Sequence, residues 1–130
     1  MIKVLRVVLI IYGVILLLMG LGGIILPEQT SGLFGLDEIT NNIIYLAMVI
    51  SAFSITIGIW LIVIGRNPLA NIYWVKFAIT KTLIFVVIEL YLIIRGYVEF
   101  NQIAAGIILD TVFAALFLVF YPWRIAQVSE

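Results

Sequence analysis

The chain has 130 residues, 65% of them hydrophobic and 11% charged, with a mean hydropathy of +1.31. A soluble domain is roughly 45–50% apolar and about 25% charged, so this composition cannot clothe a water-facing surface. Seven basic residues balance seven acidic ones, with no Cys and no His, which excludes a basic nucleic-acid face, thiol chemistry and imidazole ligation of metal or haem.

The length fits a single membrane domain over 1–130. The first apolar run is Val7 to Leu26, preceded by Lys3 and Arg6. A basic start before an apolar stretch also describes a signal peptide. This run is longer than a signal core, and no small-residue cleavage site follows, so a retained span is expected. The second run, Ile43 to Gly65, carries no charge. Asn41 and Asn42 offer capping oxygens at its start, and Arg66-Asn67-Pro68 ends it, since proline lacks an amide donor. The third, Ile72 to Ile94, is interrupted by Lys76, Lys81 and Glu89. The fourth, Ile103 to Tyr121, is interrupted by Asp110 and closed by Pro122, with Trp123 and Arg124 at the interface. Barrel strands alternate in polarity and are about ten residues long; these runs are continuous and about twice that length. The expected fold is therefore all-α, a four-transmembrane-helix antiparallel bundle with spans of about 5–26, 42–65, 71–95 and 101–121.

The segment Pro27 to Thr40 places Leu33, Phe34, Leu36 and Ile39 among polar residues. It reads either as an interfacial segment that dips these side chains into the headgroup boundary or as a surface loop. A tight hairpin around Gly96 joins the last two spans. Lys3, Arg6, Arg66 and Arg124, with Lys76 nearby, share one side; Arg95 stands on the other with Glu28, Asp37, Glu38 and Glu99. The Lys/Arg excess predicts a multi-pass cell-membrane protein with both termini in the cytoplasm.

Ionisable residues inside a bilayer are costly and are functional hypotheses by default. Counted from the hairpin at about 1.5 Å per residue, Asp110 lies roughly 5 Å below Glu89 and about 7 Å above Lys81, within reach of a lysine side chain. Ala78, Lys81, Phe85, Glu89 and Leu92 share one helical stripe; Ile103, Gly106, Asp110, Ala114, Phe117 and Tyr121 share another. An intramembrane polar centre of Lys81, Glu89 and Asp110 is expected, with Lys81 paired to Asp110. One cation facing two carboxyl groups leaves one carboxyl to hold a proton in a dry environment. The centre can serve function or merely lock the helices together. Ser51, Ser54, Phe85, Gly106 and Ala114 are candidates for lining a cavity. Ala47, Ser51, Ser54 and Gly58 equally suit close helix packing, as do Gly13, Gly20, Gly22 and Gly23. No residue set suggests a catalytic centre, a metal site or a cofactor.

A basic start, then YGVILLLMGLGGIILPE, then a loop containing GLFGL, over Leu5 to Leu36, resembles the DoxX-like group of small four-helix membrane proteins. Beyond residue 36 the likeness is one of layout. Some members serve as membrane subunits of quinone-linked oxidoreductases, and others have no assigned activity. The small multidrug exporters compare less well, because the first span here lacks their acidic residue. The resemblance implies a non-catalytic accessory subunit or a binder of a lipid- or quinone-type ligand. The alternative is a small transporter or channel using Lys81, Glu89 and Asp110. Expected partners are membrane lipid and a homo-oligomer or larger membrane complex, with no nucleic acid.

Overall fold

The computed structural model describes residues 1–33, 38 and 40–126. Their regular structure is helical: α1 (Ile2–Ile25), α2 (Pro27–Leu33), α3 (Asn41–Arg66), α4 (Ile72–Ile94), α5 (Phe100–Phe120) and α6 (Trp123–Ala126). The four long helices have 24, 26, 23 and 21 residues. At about 1.5 Å per residue the shortest reaches about 32 Å, enough to cross a hydrocarbon core of about 30 Å. All four are also apolar enough to do so, and the chain is a multi-pass membrane protein built as an all-α four-helix bundle. Their outer faces carry exposed Leu, Ile, Val and aromatic side chains, as lipid requires.

Local chemistry fixes the ends. Thr40, in an extended conformation, accepts a hydrogen bond from the Ile43 amide at 3.3 Å and caps α3. The expected Asn41 and Asn42 already lie inside that helix, so the cap falls one residue earlier. At the other end of α3, Arg6 donates from Nε to the Gly65 carbonyl at 3.2 Å and from Nη2 to the Arg66 carbonyl. A guanidinium there satisfies carbonyls left over at a helix C-terminus. Gly96 closes α4 with φ of +73°, a conformation that costs glycine little. Glu99 and Gln102 then form a reciprocal capping box that starts α5.

Pro27 opens α2, where its missing amide donor costs nothing. Ser31 in α2 is buried. The interfacial reading of Leu33, Phe34, Leu36 and Ile39 concerns side chains outside the described residues.

α1 packs most extensively against α3. Arg6 meets Gly65, Gly13 meets Gly58 and Gly20 meets Ser51, so the pair runs antiparallel. A Cβ on Gly13 would stand 2.7 Å from the Gly58 carbonyl oxygen, and one on Gly58 would stand 2.7 Å from that of Gly13. The two backbones therefore touch, and neither position has room for a side chain. α5 packs on α4 and reaches α1, whereas α3 and α4 touch little. The core runs along α1 through Leu5, Leu9, Tyr12 and Leu16, meeting Leu61 and Ile64 of α3, Val75 and Ile79 of α4, and Phe113 and Phe117 of α5.

Candidate functional site

Three polar side chains from three helices meet halfway along the bundle. Tyr12 stands near the middle of α1, Lys81 of α4 and Asp110 of α5. The Tyr12 hydroxyl donates to Asp110 Oδ1 at 2.7 Å. Lys81 Nζ donates to the same hydroxyl at 2.9 Å, and stands 3.9 Å from Asp110 Oδ1. The expected Lys81–Asp110 pair thus forms, with Tyr12 joining its two ends. Tyr12 is fully buried, and its ring stacks on Phe113 at 4.4 Å and meets Phe117 edge-on at 5.6 Å. Aromatic packing fixes the ring, and the ring fixes the hydroxyl between the charges. Lys81 Nζ also lies 4.4 Å from the centre of the Phe85 ring, which screens the ammonium on another side.

Glu89 lies beyond this triad, towards the α4–α5 turn. Its Oε1 stands 3.3 Å from where a Cβ on Gly106 would be, so the missing side chain at 106 makes room for the carboxyl group. Its buried Oε2 has no hydrogen-bond partner. Gly106 and Asp110 are one helical turn apart on the same face of α5, so Glu89 sits one turn from the position of Asp110. Lys81 and Asp110 thus meet directly, and Glu89 lies beyond them against Gly106. Among the described residues, no cluster of three or more acidic side chains could hold a metal ion.

The residues expected to line a cavity take different places. Ser51 is buried against α1, where a Cβ on Gly23 would collide with its hydroxyl oxygen. Ser54 is half-buried, and Ala114 is buried on α5. Phe85 covers Lys81, and Gly106 accommodates Glu89. A cavity of about 220 Å³ lies instead where α3 and α4 part, and none of the five lines it. Its wall includes Ile57, Leu61, Trp60, Trp74 and Phe77, with Tyr12 and Lys81 at mid-membrane depth, and the surface it exposes is almost wholly apolar. Thr56, also on the wall, turns its hydroxyl to the Ala52 carbonyl at 2.9 Å. Trp60, Trp74 and Phe77 remain 53%, 50% and 55% exposed, so the cavity opens sideways to lipid. Trp60 and Trp74 stack across the gap at 5.9 Å.

Sequence reasoning missed Tyr12, Trp60 and Trp74. Tyrosine and tryptophan concentrate at membrane interfaces. Tyr12 lies well inside α1 rather than near an end, and that depth was the available signal. No family model matches the chain, and no curated protein or solved structure is significantly similar to it.

Proposed function

We propose that this is a non-catalytic ligand-binding protein of the cell membrane, DoxX-like in kind, which holds a lipid- or quinone-type molecule between α3 and α4. The observation that carries the reading is the cavity of about 220 Å³ with an aromatic lip towards lipid and Lys81 at its inner wall. An apolar cavity of about 150 Å³ is enough for benzene. The space here suits one ring or a short acyl segment, with a longer tail trailing into the bilayer. The wall is almost wholly apolar, while the Lys81 ammonium is held by Tyr12 and Asp110, so the apolar ring or tail of the ligand is what the cavity would take.

The Lys/Arg distribution supports cytoplasmic termini. Lys3, Arg6, Arg66 and Arg124 then face the cytoplasm, and the α4–α5 turn faces outward. An accessory role in a larger complex is compatible with the same cavity, which would then hold the ligand for a catalytic partner.

Reconstitution in nanodiscs tests the binding reading. A short-chain benzoquinone and a short-chain phosphatidylcholine, titrated separately, should quench or shift the fluorescence of Trp60 and Trp74 in a saturable way for at least one of them. A linear, unsaturable response to both would remove the cavity as a ligand site. The transporter alternative is favoured by the unpartnered Oε2 of Glu89. It requires pH-dependent flux into proteoliposomes, which the binding reading does not.

A further inference from the structure

The α3–α4 cavity has a direction. At about 1.5 Å per residue, Trp74 lies roughly 3 Å inside the start of α4 and Lys81 about 14 Å inside it. The slot between them is therefore about 10 Å deep and runs along the helices. It begins where tryptophan rings gather in a membrane and ends near the middle of a hydrocarbon core of about 30 Å. The acyl chains of one leaflet cover the same depth. Trp60, Trp74 and Phe77 are about half exposed, so the slot opens sideways to the chains of that leaflet.

The wall selects which part of a lipid enters. It is almost wholly apolar, and the Lys81 ammonium and Tyr12 hydroxyl are turned to one another and to Asp110. A quinone ring would bring two carbonyl oxygens into it, and burying these without donors is costly. A run of methylene groups needs no donor. The slot therefore suits hydrocarbon, and the polar part of the same molecule stays above Trp60 and Trp74. Indole rings suit that boundary, with an apolar body for a chain and an N–H edge for the wet interface.

The end of the bundle to which the slot rises is basic. α1 and α4 start there, and α3 and α5 end there. Lys3, Arg66 and Arg124 are exposed at this end, and Arg6 joins them while it caps the α3 carbonyls. Among the described residues no acidic side chain lies here; Glu28 and Glu99 lie at the opposite end. A headgroup at this level meets charge of one sign, and a negative headgroup complements it. We propose that the occupant is an anionic phospholipid of the leaflet at this end, with one acyl chain in the slot from Trp74 towards Lys81 and its phosphate at the basic rim. The inference rests on the ligand reading above and narrows it, away from a quinone ring and from lipid of the other leaflet.

Quenching by brominated acyl chains tests it. The full chain carrying Trp123→Phe confines tryptophan emission to Trp60 and Trp74. In mixed micelles, phosphatidylglycerol and phosphatidylcholine with the same brominated chains are titrated separately. Saturable quenching is expected from both. Half-saturation should come at about fivefold lower mole fraction for phosphatidylglycerol, the effect of one Lys or Arg near a charged surface. High salt should bring the two together, and so should Arg66→Gln combined with Arg124→Gln. Within the saturable part, bromines high on the chain should quench more than bromines near its methyl end. Thr56→Phe, which fills the slot, should leave only a linear response. Equal half-saturation at low salt, or a preference that salt does not weaken, overturns the anionic lipid and leaves the cavity reading standing. Stronger quenching from the methyl end overturns entry from this leaflet. Linear quenching by both lipids overturns the inference, and the cavity reading falls with it only if short-chain benzoquinone also fails to saturate. The comparison of the two lipids decides the matter even if Thr56→Phe or the arginine variant fails to fold.

Discussion

α3 shows one side to α1 and another to α4, and the two sides are built in opposite ways. Towards α1 it presents Ser51, Gly58 and Gly65, and the helices close until backbone meets backbone. Towards α4 it presents Ile57, Trp60, Leu61 and Ile64, and the helices part around a cavity. In lipid there is no hydrophobic force to drive helices together, so association depends on close contact and on polar links. The α1–α3 seam supplies the contact, and Tyr12, Lys81 and Asp110 link α1 to α4 and α5. Between α3 and α4 there is little of either, so a gap survives in an otherwise packed bundle.

The largest effect is expected from cutting the polar link. Asp110→Asn or Lys81→Met leaves a charge without its partner, at a cost of roughly 3–5 kcal/mol by analogy with soluble proteins. The double variant should lose less than either single one; strictly additive losses in thermal melting would show that the two groups do not interact. Next comes the seam. Gly58→Val drives a branched side chain into the Gly13 carbonyl and the Leu17 backbone. Overpacking of this kind costs typically 1–3 kcal/mol. If the variant melts like wild type, α1 and α3 are not in backbone contact. Tyr12→Phe keeps the ring and removes only the hydroxyl. The loss should be about 1–2 kcal/mol, near the upper end for membrane hydrogen bonds because a charged group is left short. An unchanged melting temperature would mean that Lys81 and Asp110 manage without the bridge.

The seam and the four spans are legible from sequence for a simple reason. Long charge-free runs have one solution in lipid, and glycines at helical spacing declare where backbones can approach. The Lys81–Asp110 pair is legible too, because a short hairpin fixes the depth of both residues. Tyr12 is a different case. It reaches Asp110 across 98 positions of chain, and no local spacing relates the two. The cavity is less legible still. It exists because two helices fail to meet, and such a gap depends on all the contacts elsewhere. Small residues such as Ser51 and Ser54 suggest empty space, but Ser51 is consumed by the approach of Gly23. Bulky Trp60 and Trp74 instead line the cavity and stack across the gap.

The smallest effect on stability, and the most direct test of the cavity, comes from filling it. Thr56 is exposed on the cavity wall and lies outside the polar centre, so Thr56→Phe should change melting by no more than about 0.5 kcal/mol. Native mass spectrometry of protein released from its own membrane would compare the small-molecule adducts of the two forms. The expected result is an adduct on the wild-type protein that Thr56→Phe loses while Lys81, Tyr12 and Asp110 are left intact. A wild-type protein without an adduct, or an adduct retained at equal abundance by Thr56→Phe, would contradict the α3–α4 cavity as the binding site.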